Sequence, residues 1–167
     1  HGTDDDVLSN GIGHLEGTSL PVGGASTHCV LTGHRGLPNS KLFTRLDEIE
    51  ENDLFYLNIF GETLAYKVNQ IEVIEPDEVD KLNIQEGKDL VSLITCTPYG
   101  LNTHRLVVTG ERVSYEKKVY ENIKPNMLSG RELIFGALPF IFIGIQLISF
   151  IRQKMKERKR NEAQNNP

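Results

Sequence analysis

The chain has 167 residues and only two cysteines, Cys29 and Cys96. Two thiols so far apart in sequence permit at most one bridge, so a disulfide framework does not hold this fold together. Positive charge is scarce where the chain folds. Up to Gly130 it has 11 Lys and Arg against 20 Asp and Glu, a net of −9. An acidic domain lacks the basic face that nucleic acid requires, so no nucleic-acid partner is expected. There is no glycine-rich phosphate loop, no internal repeat and no low-complexity segment. The acidic runs "EIEEND" and "EPDEVD" lack the spacing of a calcium loop and read as solvated surface. A zinc site built from Cys96, His34 and His104 would have no pair at ligand spacing, so no metal is expected. The length suits one domain with a proper core.

Uncharged length is also rare, and it is concentrated in one place. "LIFGALPFIFIGIQLISFI", Leu133 to Ile151, is 19 residues without a charge. At about 1.5 Å per residue a helix of this length spans roughly 28 Å, close to the hydrocarbon thickness of a bilayer. The run is apolar all round rather than along one stripe, which favours a membrane span over a buried helix. "RQKMKERKR" follows, with six basic residues against one acidic. Such a flank belongs on the cytoplasmic side, so the acidic domain is expected outside the cell membrane. We therefore divide the chain into a domain over 1–120, a linker over 121–132, a transmembrane helix over 133–151 and a basic cytoplasmic tail over 152–167. The final "NEAQNNP" is expected to be disordered. His1 is not a methionine, and we expect an N-terminal segment to precede it.

The domain reads as mainly β. "STHCVLTG", "DLVSLITC" and "RLVVTGERVSYEK" are rich in β-formers, and "LFYLNIF" with "TLAYKVNQIEVIE" reads as a hairpin turning at "GE". Phe55, Leu57 and Ile59 alternate with Tyr56, Asn58 and Phe60, a core face against a less buried one. Leu42, Phe43, Leu46 and Ile49 recur at helical spacing behind Ser40, which predicts a short amphipathic helix with Ser40 as its cap. "PDEVDKLN" predicts one or two helical turns. Before Gly24 the chain is glycine-rich and short of periodic structure. Strand-like runs with short links predict a closed or nearly closed barrel, largely antiparallel.

Chemistry is suggested at strand ends. Cys96 follows a run of β-formers and precedes the turn signal "TPYG", which makes its thiol accessible. Cys29 lies within an apolar strand and reads as a small buried hydrophobe. A cysteine nucleophile needs a basic or cationic partner, because the thiolate is the reactive form. His34 sits on a glycine-flanked bend directly after a strand, at a barrel rim. Arg105 begins the strand after Cys96, where a guanidinium can clamp a carbonyl or an oxyanion. His104 adjoins Arg105, but neighbouring strand residues point to opposite faces, so only one of them can face Cys96. His14 and His28 have no companion signal. Taken singly, each of these residues has an ordinary structural reading.

Together they resemble the sortases. The similarity rests on "GHLEGTSLPVGG", "LTGHRGLPNSKLF" and "LITCTPYGLNTHRLVVTGER", and it runs from about His1 to Tyr115. The family's TLxTC motif is here "SLITC", with Ser92 in place of threonine and Leu93, Thr95 and Cys96 retained. "HRGLPNSKLF", "TPYGLNTHR" and the C-terminal anchor look most like the class C, pilin-polymerising sortases of Gram-positive bacteria. The resemblance implies an eight-stranded barrel, with the first strand and an N-terminal lid lying before His1. It also implies a catalytic triad of Cys96, His34 and Arg105, with no cofactor and no metal. The implied reaction cleaves an LPXTG-type signal between Thr and Gly and passes the acyl group to an amine. That amine would be a lysine of another pilin or, alternatively, a cell-wall peptide. Position alone adds Thr95, Thr97, Pro98, Tyr99 and Asn102 as residues of the substrate groove. Two other readings remain at this point, a thiol hydrolase and a non-catalytic membrane-anchored surface domain.

Overall fold

The structure is a computed structural model, and it describes residues 2–37, 40–123 and 130–164. The chain falls into two units, 1–122 and 123–167. The first is built on one six-stranded sheet. A short helix α1 (Asp5–Asn10) precedes β1 (Ile12–His14) and β2 (Thr27–Gly33). The hairpin β3 (Leu54–Ile59) and β4 (Glu62–Ile74) follows, then β5 (Asp89–Thr97), β6 (His104–Val113) and the short helix α2 (Lys117–Glu121). The strands lie in the order β1-β2-β5-β6-β4-β3. All neighbours are antiparallel except β2 and β5, which run parallel. Six strands are thus present among the described residues, where the resemblance implied eight.

The central strands are buried on both faces, which is why they read as continuous apolar runs rather than alternating ones. Cys29, Val91, Leu93, Leu106 and Val108 point into the larger core cluster, with Tyr66 and Val68 from β4. Val30, Ile94 and Val107 point the other way and pack with Ile74 and Leu82. The second face is covered by the segment between β4 and β5, where Val79–Leu82 forms a 3-10 turn at the place predicted to be helical. α1 and the short strand β1 lie in the glycine-rich stretch that showed no periodicity. α1 carries its own cap, for the Asp4 carboxylate accepts from the Val7 amide at 2.9 Å.

The amphipathic helix expected behind Ser40 does not form. Only Leu46–Glu48 closes a 3-10 turn, and Ser40 makes an isolated bridge with Leu37 instead of capping. Tertiary contacts take over the backbone groups that a helix would need. The Phe43 amide donates to the His34 carbonyl at 3.2 Å, and Leu42 has φ 25°, incompatible with continuing a helix. The spacing still does its packing work: Leu46 is buried, and Phe43 and Ile49 lie against the same core. A Cβ on Gly33 would come within 2.8 Å of the Phe43 ring, so a glycine there lets this strap close onto the end of β2.

The second unit is one helix, α3 (Gly130–Gln164), 35 residues long with Pro139 inside it. Leu133–Arg158 contains a stretch long and apolar enough to cross a membrane. Half of the expected linker, residues 124–129, lies outside the described residues, and its end from Gly130 is helical. The helix also continues to Gln164, through residues expected to be disordered. Lys, Arg, Glu, Ala and Gln are all good helix formers, and a helix already nucleated extends at little cost. Residues 165–167 lie outside the described residues.

Candidate active site

Three segments that are distant in sequence end side by side at one rim of the sheet. β2 and β5 run parallel, with Thr32 beside Ile94, so the residues just after β2 stand next to the end of β5. β6 returns antiparallel, which sets Arg105 directly opposite Cys96 and His104 opposite Thr97. The register resolves the choice between His104 and Arg105. Arg105 shares the Cys96 face, while His104 turns to Glu75, with Nε2 3.1 Å from its carboxylate.

Cys96, His34 and Arg105 line one cavity of about 320 Å³. Its walls are largely apolar: Leu8, Leu15, Ile74, Val79, Leu82 and Ile94 contribute to them. A thiol, an imidazole and a guanidinium thus share a small, dry-walled space. That is the composition an acyl-transfer site needs: a nucleophile, a proton carrier and a fixed cation for a developing oxyanion.

Supporting contacts hold the three in place. Thr95 is buried, and its hydroxyl donates to the Gly33 carbonyl at 2.8 Å, tying the residue before Cys96 to the residue before His34. Arg105 Nη1 donates to the carbonyls of His104 (3.0 Å) and Asn102 (3.2 Å), which anchors the guanidinium to the loop after Cys96. That loop in turn leans on the loop carrying His34. The Arg35 guanidinium lies 5.5 Å from the Tyr99 ring centre and pairs with Asp47 at 2.5 Å. A Cβ on Gly36 would come within 2.7 Å of the Tyr99 hydroxyl, so glycine at this position lets the two loops touch.

The five residues expected in the groove separate on inspection. Thr95 lines the cavity, although its hydroxyl is committed to Gly33. Thr97, Pro98, Tyr99 and Asn102 do not line it. Strand alternation turns Thr97 to the face opposite Cys96, and Pro98 to Asn102 form an exposed turn closed by the Asn102 amide on the Pro98 carbonyl at 3.0 Å. The apolar wall residues Leu15, Val79 and Leu82 were not foreseen. Leu82 sits in "PDEVDKLN", read only as surface and helical turn, and nothing local marks it as a cavity wall.

The two cysteines differ as their strand positions suggested. Both are free thiols. Burial, with the nearby Asp89 charge, pushes the Cys29 thiol up to about 12, so it stays protonated and inert. Cys96 is half-exposed at the cavity.

The sortase-domain family matches residues 1–113, and the chain belongs to the sortase family. Solved structures of class C pilin sortases resemble it over most of the first unit. Sortase C-1 of Actinomyces oris is 57% identical with a TM-score of 0.67, covering 69% of this chain and 64% of that one. Sortase C of Clostridium perfringens, solved with the C-terminal cell-wall sorting motif, is 58% identical with a TM-score of 0.65, covering 68% and 62%. Sortase D of Bacillus subtilis is 28% identical over 116 residues, 68% of this chain and 56% of that protein. The chain thus spans somewhat less than two thirds of the length of these relatives.

Proposed function

We propose that this chain is a class C-type sortase, a cysteine transpeptidase that joins pilin subunits. The observation that carries the reading is the convergence of Cys96, His34 and Arg105 on one apolar-walled cavity. The Cys96 thiol gives its proton to His34, and its sulfur attacks the threonine carbonyl carbon of an LPXTG-type signal. The Thr–Gly C–N bond breaks, and His34 gives its proton to the departing glycine amine. Arg105 holds the carbonyl oxygen as its charge develops, a role its permanent charge and fixed donors suit. The resulting thioester is then attacked by an incoming amine, a lysine of the next pilin, while His34 takes up the amine proton. The C–S bond breaks as the isopeptide C–N bond forms. Every proton and electron pair is carried by the peptide, the amine and these side chains, so the scheme uses no metal and no cofactor.

The rest of the chain supports a matching location. An apolar helix with a basic flank orients the acidic unit, over about residues 1–120, to the outer side of the cell membrane, where secreted substrates pass. The test uses the full chain in detergent micelles with an LPXTG peptide and excess amine, followed by mass spectrometry. Amide product is expected from the wild type and none from Cys96→Ala. Cleavage without capture of the amine would replace transfer by hydrolysis, and an intact peptide would return the domain to a binding role.

A further inference from the structure

The sheet face that carries the cavity carries a second polar constellation on the same three strands. Four residues before Cys96 on β5 stands Ser92, and four after Arg105 on β6 stands Thr109, paired with it. Alternation puts all four on one face. β2 contributes His28 to this face, as it contributes Thr32 near the rim. His28 is 1% exposed, Ser92 0% and Thr109 7%, so this histidine and serine are sealed from any substrate.

The Asn83 carbonyl fixes the direction at one end of this chain of hydrogen bonds, and burial, which favours the neutral ring, fixes the rest. His28 Nδ1 lies 3.0 Å from the Asn83 carbonyl, which can only accept, so Nδ1 carries the proton. Nε2 then accepts from the Ser92 hydroxyl at 2.7 Å, and Ser92 accepts from Thr109 at 2.7 Å.

Asn83 is the link to the site. It ends the 3-10 turn Val79–Leu82, whose Val79 and Leu82 form one wall of the cavity. Leu82 holds this turn to the sheet by packing on Val30, Ile94 and Val107, but apolar packing alone leaves it free to slide. The ion pair from this turn to β4, Lys81 to Glu72 at 3.2 Å, lies at the surface. The bond from His28 is buried and directional.

We propose that His28 is a positioning residue, whose Nδ1–H holds the Asn83 carbonyl and so sets the depth of the Val79–Leu82 wall for the bound peptide. It does not touch the substrate. The kinetic part of this proposal rests on the transpeptidase reading; the structural part does not.

Two substitutions separate the two ring nitrogens. In His28→Asn the amide N–H falls near the position of Nδ1 and keeps the tie to Asn83. In His28→Gln the amide reaches the position of Nε2, keeping the Ser92 contact and losing the tie. Both are measured in the full chain in micelles, by hydrogen exchange across Val79–Lys88 and by kinetics on an LPXTG peptide. His28→Gln is expected to speed exchange in this segment about five- to tenfold and to raise KM by a similar factor, with kcat within about twofold. His28→Asn is expected to match the wild type in both, although each variant lowers Tm. Equal exchange and equal KM in the two variants would overturn the proposal. If the wild type left the peptide intact, the transpeptidase reading would fail, and the exchange data would still decide this one. Nitrogen NMR of the His28 ring in the wild type needs no variant: a proton on Nε2 in place of Nδ1 would also overturn it.

Discussion

β2, β5 and β6 present a histidine and a short polar side chain at each end of one sheet face, and the two ends do opposite things. At the rim, His34, Cys96 and Arg105 border a cavity. At the other end, His28, Ser92 and Thr109 are buried, and their hydrogen bonds run to one another and to the Asn83 carbonyl. The residue types are similar, so type does not decide the role. Access does: a group that must react needs room for a substrate and an unspent valence, whereas a buried polar group must be fully paired to be tolerated. Cys29 and Cys96 repeat the contrast between a thiol in the core and a thiol at the rim.

The sharpest way to break the comparison is at the rim. Arg105→Lys keeps the charge but loses the planar fork, and kcat/KM for peptide transfer is expected to fall by about 10²–10³. Stability measured by urea unfolding should change by less than about 1 kcal/mol, because the lost bonds lie near the surface. Wild-type turnover in this variant would remove Arg105 from the chemistry. Thr95→Val tests the link between the two loops. It leaves the buried Gly33 carbonyl without its donor and is expected to cost about 1–3 kcal/mol of stability. Its activity loss should be smaller than that of Arg105→Lys, since it shifts His34 and Cys96 without removing either.

The smallest effect belongs to the sealed end. Burial lowers the pKa of His28 below the ordinary 6.5, so the unfolded chain takes up a proton there before the folded one does. The stability contributed by this group is complete above about pH 6.5 and is lost as pH falls through the folded value. In wild type, urea unfolding should therefore weaken by up to about 1 kcal/mol for each pH unit on the acid side, beyond what His28→Asn shows. Parallel pH profiles in the two proteins would mean that His28 is not held neutral.

Much of this was legible in the sequence, and the reasons for the misses are specific. Strand positions followed from β-branched runs and turn signals, because side chains alternate strictly along a strand. The helix-like spacing of Leu42, Phe43, Leu46 and Ile49 misled, since a strap laid over a core selects apolar residues at the same intervals as a helix face. Thr97, Pro98, Tyr99 and Asn102 are a different case: alternation and an outward turn place them outside the walls of this cavity, and their expected contact with a substrate is one that substitution would test. The absence of a companion signal for His28 also misled, for its partners lie 55 and 64 residues away.

The sequence by itself determined the mainly β unit, the apolar helix with its basic flank, the inert and accessible thiols, and the residues that resemble a sortase triad. Each of these rests on local pattern or on a short motif. The register put Arg105, already implied by the resemblance, opposite Cys96 on its own face, and tertiary structure alone decided that Thr95 ties the β5 end to Gly33 and that Leu82 closes the cavity. It also decided that His28 binds the cavity wall. The physical reason is common to all four: register and long-range hydrogen bonds join groups whose separation along the chain carries no periodic signal.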